Sequence, residues 1–257
     1  MKLGLALSGG GARGVAHLGA IQALLDRGIK PQIISGVSSG AVVGALYAGG
    51  MQPREILELL VKTRIFRYIR PSWSRVGFFN MERLVAIYKL YLPVKTFEEL
   101  KLSLIISAVD LKEGKSVYFS QGELINPILA STCVPVIFAP LEYNDGILVD
   151  GGILNNLPVE PLIAHCDFII GVHVNPPHKD FKVKSFKNML ERTFHLAVQN
   201  NVRERIKYCD LFIEPPQLKN YGLFEISKAE EIYKVGFEHA SKVLADAEPL
   251  LQKYQVV

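Results

Sequence analysis

A chain of 257 residues that is 49% hydrophobic and 21% charged has the length and apolar content for a substantial core, which excludes a largely disordered protein. Its net charge of +4, without a dense basic run or a nucleic-acid motif, gives no footing for nucleic-acid binding. Three cysteines, Cys133, Cys166 and Cys209, form no C-x-x-C or His-paired cluster, so a reduced, cytoplasmic compartment is expected; the sequence as a whole calls for no metal or other cofactor.

The segment Met1–Leu7 imitates a signal peptide, but its apolar run is too short and a glycine loop follows it, so Leu3–Leu7 reads as a first strand. Gly9-Gly10-Gly11-Ala12-Arg13-Gly14 comes next, then a helix over about Val15–Arg27 ended by Gly28. A second strand, Ile33–Val37, runs into Gly36-Val37-Ser38-Ser39-Gly40 and a helix of small residues over about Ala41–Ala48. Pro53 starts a further helix over Arg54–Thr63.

The stretch Arg64–Phe79 combines Phe66, Tyr68, Trp73, Phe78 and Phe79 with four arginines and no acid. It suits a lid or a membrane-facing patch, and equally a loop whose aromatics fold inward. Asn80 caps a helix over Met81–Tyr91. Strands at Leu102–Asp110 and Ser116–Ser120 flank a Glu113-Gly114 turn, and a helix spans about Leu124–Ser131. Asn144-Asp145-Gly146 signals a hairpin between Leu141–Tyr143 and Ile147–Val149, and the second strand leads directly into Asp150-Gly151-Gly152.

A helix near Glu160–His165, a buried strand Phe168–Val174, a loop at Pro176–Asp180 and a long amphipathic helix over about Ser185–Tyr208 follow. A last strand, Leu211–Ile213, and a mostly helical Lys228–Lys253 complete the pattern. Strands alternating with helices predict an α/β/α arrangement of three layers around a mostly parallel sheet. The whole chain, 1–257, reads as one domain with the helices from about 185 packed on it. No run reaches the roughly eighteen apolar residues of a membrane span. A soluble protein is expected, with peripheral membrane contact allowed.

Gly9, Gly11 and Gly14 also fit G-x-G-x-x-G, but a dinucleotide site needs an acid at the end of the second strand. That position holds Ser35-Gly36-Val37-Ser38, which removes the nucleotide reading. The second glycine turn has the G-x-S-x-G form that exposes a serine hydroxyl on a sharp strand-to-helix turn. The plain alternative for Ser38 is a helix N-cap, a role Ser39 fills equally well. An anion-binding loop beside an exposed serine is what acyl transfer from an ester requires.

Serine needs a base. His17, His195 and His239 lie on helices, and His173 alone stands near a strand end. An elbow after the second strand, rather than after several, argues against a Ser-Asp-His triad in the usual order. Asp150 closes an apolar strand and is followed by two glycines that leave its carboxylate uncrowded. A plain Asp-Gly turn is the alternative, but this one stands where α/β sites gather.

Together the glycine loop, the early G-x-S-x-G and the later D-G-G resemble the patatin-like phospholipase family. Softer likenesses are Ala130–Pro135 with Phe138-Ala139-Pro140, and Asn155 with Pro158. The resemblance covers roughly residues 3–175 and implies a Ser-Asp dyad, with Ser38 acylated by a lipid ester and Asp150 as base. It implies an oxyanion hole of backbone N–H groups from Gly10 and Gly11, with Gly9 and Ser39 in the same set. Arg13 matches the family's basic position, where it binds a lipid phosphate or braces the loop. The implied partner is a phospholipid or other lipid ester. Acyl transfer to another acceptor and a low-turnover lipid-sensing module are the competing functions.

Overall fold

Leu3–Leu7 forms β1, buried along its whole length between β2 (Ile33–Val37) and β7 (Phe168–Val172), and parallel to both. Unbroken apolar runs of this kind belong to parallel strands covered on both faces. The computed structural model describes residues 1–63, 82–92, 94–135, 137–177 and 186–253. The Arg64–Phe79 stretch, the Asn80 cap and His178 lie outside the described residues.

Among the described residues the sheet has the order β5-β6-β3-β2-β1-β7-β8, with β4 also paired to β3. The five strands from β3 (Ser103–Asp110) to β8 (Leu211–Ile213) are mutually parallel. β4 (Lys115–Phe119) and β6 (Gly146–Asp150) pair with β3 antiparallel, and β5 (Leu141–Tyr143) continues the edge as a hairpin with β6. Asn144 and Asp145 both have positive φ, 47° and 62°, as the short hairpin turn requires.

Side chains alternate across the strands into two cores. Leu5, Leu7, Ile34, Phe168 and Ile170 face one of them, which α1 (Val15–Asp26), α2 (Ser39–Ala48), α3 (Pro53–Thr63), α4 (Glu82–Tyr91), α5 (Ile125–Thr132) and α8 (Ala229–Asp246) fill. Ala6, Ile33 and Ile169 face the other, packing with Leu162 of α6 (Glu160–Ile163) and Val202 of α7 (Phe186–Arg203). The layers are therefore α/β/α around a mostly parallel sheet, as the sequence pattern predicts.

Among the boundaries that differ from the sequence reading, three helix ends have a clear local description. The helix expected from about Ala41 starts at Ser39, because Ser38 itself is the N-cap residue. The helix expected to Tyr208 ends at Arg203 and resumes as a short 3-10 turn, Ile206–Tyr208. The last helix breaks at Ala247 into α8 and α9 (Glu248–Lys253), since Pro249 cannot donate to the preceding turn.

Helix α8 lies along α1, with Ile232 fully buried in the larger core. Ile232→Ala should lower stability by about 2–4 kcal/mol through lost contacts and a residual cavity. Chemical denaturation followed by circular dichroism measures this. A loss under about 0.5 kcal/mol would mean that α8 is not part of the core.

Candidate active site

Register brings the candidate residues to one level of the sheet. Leu7 pairs with both Gly36 and Val172, and Val37 pairs with Ser107, so β1, β2 and β7 end together. β6 runs the opposite way and ends with Asp150 opposite Ala108, one residue past Ser107. Ser38 thus directly follows β2, and Asp150 ends β6, both of which pair with β3. α/β sheets gather their sites at such strand ends.

Ser38 has φ 53° and ψ −123°, a conformation a non-glycine residue adopts only when its surroundings enforce it. Its N–H donates to Ser131 Oγ at 2.8 Å, and the Ser131 hydroxyl donates to the Ser107 carbonyl at 2.7 Å. Its carbonyl accepts from the N–H groups of Ala41 and Val42 at 3.0 and 3.2 Å, starting α2. Gly40 makes this turn possible, because a Cβ there would lie 2.3 Å from the Leu7 carbonyl oxygen.

Asp150 is only 2% exposed, and its backbone N–H donates to the Cys133 carbonyl at 2.9 Å. Burial pushes its carboxyl up to about 6; hydrogen bonding from the Ser38 hydroxyl and the Gly152 N–H pulls the other way. The Gly152 bond to Oδ1 measures 2.8 Å. The neighbouring Cys133 thiol is pushed up to about 12 by burial and by the Asp150 charge, so it stays neutral. A carboxylate poised near neutrality and bonded to a serine hydroxyl is equipped to take that hydroxyl's proton.

The glycine loop lies directly against the serine. A Cβ on Gly9 would come within 3.0 Å of Ser38 Cβ and 2.6 Å of Asn156 Oδ1, so only glycine lets the loop approach. The Gly9 N–H is taken by Asn156 Oδ1 at 3.2 Å, which removes it from the set of available donors. The N–H groups of Gly10 and Gly11 have no acceptor among the described residues. Ser39 begins α2, and its buried hydroxyl likewise has no described partner.

Arg13 is 8% exposed and points into the protein. Its Nε donates to the Tyr221 carbonyl at 2.7 Å and its Nη1 to Asn175 Oδ1 at 3.3 Å, with the Glu225 charge nearby. The Ala12 N–H donates to the Leu223 carbonyl at 2.7 Å. Residues 221–225 therefore buttress the loop from outside.

The histidines are arranged otherwise. His17 is buried with Nε2 at 2.8 Å from the Ser8 carbonyl, and burial lowers it to about 4. His173 is buried at the end of β7, two strands from Ser38, with Nδ1 at 2.7 Å from Glu214. His239 is half-buried on α8, and the His195 side chain lies outside what the structure describes. Among the described residues no three His, Cys, Asp or Glu side chains gather as a metal site, and no helix is long and apolar enough to cross a membrane.

Three participants escaped the sequence reading as site residues: Ser131, Asn156 and Asn175. Asn155, the residue of the softer resemblance, turns away instead, bonding Glu160 at 2.7 Å and the Leu157 N–H at 3.2 Å. The available signal was position, since Asn156 follows the Asp-Gly-Gly turn closely and Asn175 follows the end of β7.

A family model described as patatin-like phospholipase matches residues 5–163. An uncharacterized NTE family protein of Mycobacterium tuberculosis is 39% identical over 178 residues, covering 68% of this chain and 49% of that one. The lysophospholipase NTE1 of Saccharomyces cerevisiae is 27% identical over 274 residues, covering 92% of this chain and 16% of that one. The chain thus spans about half the length of the mycobacterial relatives it matches. In fold it resembles VipD from Legionella pneumophila, with a TM-score of 0.56 at 16% identity over 95% of this chain and 66% of that one. The type III effector protein ExoU gives 0.51 at 15% identity, over 96% and 53%.

Ser131→Ala leaves the buried Ser38 N–H and Ser107 carbonyl without their shared partner. It should cost about 1–3 kcal/mol of stability and slow fluorophosphonate labelling of the protein about tenfold or more. Thermal denaturation and labelling rates check both, and unchanged values would show the elbow needs no such brace.

Proposed function

The chain belongs to the patatin-like phospholipase family, and on that premise we propose that it is a serine acyl hydrolase of lipid esters, of the phospholipase A or lysophospholipase type. The observation that carries the reading is the buried Asp150 carboxyl, lifted to about 6 and hydrogen-bonded with Ser38.

Asp150 accepts the Ser38 hydroxyl proton as Oγ attacks the ester carbonyl. The carbonyl oxygen gains negative charge and takes bonds from the N–H groups of Gly10 and Gly11, which have no acceptor among the described residues, with Ser39 at the start of α2 in the same set. Collapse of this intermediate expels the alcohol, the lysolipid or glycerol part, which leaves with the proton held by Asp150. The acyl-enzyme ester on Ser38 is then attacked by water, whose proton goes to Asp150 and then returns to Ser38 Oγ as the fatty acid departs. No histidine and no metal takes part. Arg13 acts as a brace in this scheme, its donors spent on Tyr221 and Asn175.

An oxyanion donor typically contributes 10²–10³-fold in rate, and the carboxylate is a weak base for an alcohol, so the donors must supply much of the acceleration. A yeast relative described as a lysophospholipase supports the choice of a lipid ester.

Ser38→Ala and Asp150→Asn should each lose more than about 10³-fold in hydrolysis of a short p-nitrophenyl ester. The unsubstituted enzyme should gain activity with pH through a single ionisation near 6, as Asp150 loses its proton. An active Asp150→Asn with a dead His173→Ala would overturn the dyad, and ester product appearing only with an added acceptor alcohol would favour acyl transfer. Stability supplies an independent check. The unfolded carboxyl titrates near 3.9 and the folded one near 6, so ionising Asp150 costs the folded state stability as pH rises between them. Asp150→Asn should therefore gain up to about 3 kcal/mol at pH 8 and little at pH 4. Equal stabilities at both pH values would refute the raised carboxyl.

A further inference from the structure

The peptide joining Gly9 to Gly10 is flanked by glycine on both sides, so no side chain opposes its rotation by half a turn. Such a flip would exchange the directions of the Gly9 carbonyl and the Gly10 N–H, which point opposite ways across a trans peptide. The Gly9 carbonyl, however, accepts from three side chains at once. Asn175 Nδ2 lies at 2.5 Å, the Ser8 hydroxyl at 3.1 Å and Asn156 Nδ2 at 3.4 Å. Asn156 also takes the Gly9 N–H through Oδ1, so its amide grips both polar groups of Gly9 as a neighbouring strand would.

Each asparagine is itself held. Asn175 Oδ1 accepts from Arg13, fixing which end of its amide faces Gly9. The Asn156 N–H donates to Asn201 Oδ1 at 2.9 Å, and Asn201 Nδ2 donates to the Gly152 and Ile153 carbonyls at 3.0 and 3.2 Å. Both asparagines are buried, where a donor without an acceptor is expensive. A flipped peptide would set the Gly10 N–H against the Asn175 and Asn156 amide hydrogens and strand all of them.

We propose that Asn156 and Asn175 are positioning residues that lock the Gly9–Gly10 peptide and so aim the Gly10 N–H at the oxyanion. Three donors on one carbonyl also polarise the peptide and strengthen its N–H as a donor. The inference rests on the acyl-hydrolase reading above, in which the Gly10 N–H serves the oxyanion.

The test compares Asn156→Ala, Asn175→Ala and Asn175→Asp with the unsubstituted protein. Asn175→Asp keeps an acceptor for Arg13 but turns a carboxylate oxygen towards the Gly9 carbonyl. Asn155→Ala, whose side chain leaves the loop untouched, is the control for loss of stability alone. Each variant is assayed on a p-nitrophenyl ester and against a trifluoromethyl ketone, which adds serine to form a tetrahedral oxyanion. Folding is followed by thermal denaturation. In the three test variants kcat should fall about 10–100-fold with KM changed less than about threefold, and ketone affinity should fall by a similar factor. The acid limb of the pH profile should stay near pH 6, because Asp150 is untouched.

Two results overturn the proposal: kcat within about twofold of the unsubstituted enzyme in the folded variants, or a fall in kcat without a fall in ketone affinity. An equal fall in Asn155→Ala would assign the effect to stability and overturn it as well. Absence of fluorophosphonate labelling at Ser38 in the unsubstituted protein would instead refute the parent reading, and this one with it. Labelled, active enzyme with unaffected asparagine variants refutes this one alone.

Discussion

Burying Asp150 beneath the Ser38 turn sets the terms for everything around it. In water its carboxyl would be ionised and nearly useless as a base at neutral pH. Surrounded by Cys133, Val149 and Gly151, it is lifted to about 6, while the Gly152 N–H and the Ser38 hydroxyl keep the charged form within reach. Burial without those donors would leave a neutral acid with no appetite for a proton. Donors without burial would return the carboxyl to its ordinary range. The D-G-G turn meets both demands, because its glycines let a backbone N–H reach back to Oδ1 while adding no side chain between carboxylate and serine.

The sheet supplies the geometry. Parallel strands β1, β2 and β7 finish at one level because their registers align Leu7 with both Gly36 and Val172. A carboxylate from another parallel strand could have stood at that level, but here an antiparallel hairpin strand delivers it from the other direction. That choice allows the Asp150 turn to tuck under β3, where a Cβ on Gly151 would touch the Ser107 carbonyl and Val37. Ser131, reaching in from α5, then ties Ser107 to the strained Ser38 peptide. The strain at Ser38 is thus held by two bonds through one hydroxyl that link three elements.

The glycine loop, the serine elbow and the D-G-G turn were legible in the sequence because each demands a residue type at a fixed spacing over three to six positions. The strands were legible for a similar reason, since buried parallel strands read as short unbroken apolar runs. Asn156 and Asn175 were not legible. Their task is to meet a backbone carbonyl 147 and 166 residues earlier in the chain, and an asparagine written in a sequence does not announce its acceptor. Arg13 stood midway: its position was marked, but only its buried contacts distinguish a brace from an anion ligand. Helix ends slipped by a few residues wherever a cap or a proline, rather than periodicity, decided the boundary.

The match to the family model stops at residue 163, yet the glycine loop depends on residues well past it. Asn175 comes from the segment after β7, and the Tyr221 and Leu223 carbonyls come from the turn before α8. That turn is anchored because α8 packs along α1, the helix that the glycine loop itself begins. The loop and its outer brace are therefore fixed to the same helix pair, one at the start of α1 and the other at the entry to α8. A loop rich in glycine has little stiffness of its own. Its rigidity has to be borrowed from whatever surrounds it, and in this chain Asn175, Tyr221 and Leu223 lend it from beyond the part that the family model matches. Related proteins could keep all three motifs and still differ in catalytic efficiency through the segments equivalent to 173–175 and 221–225.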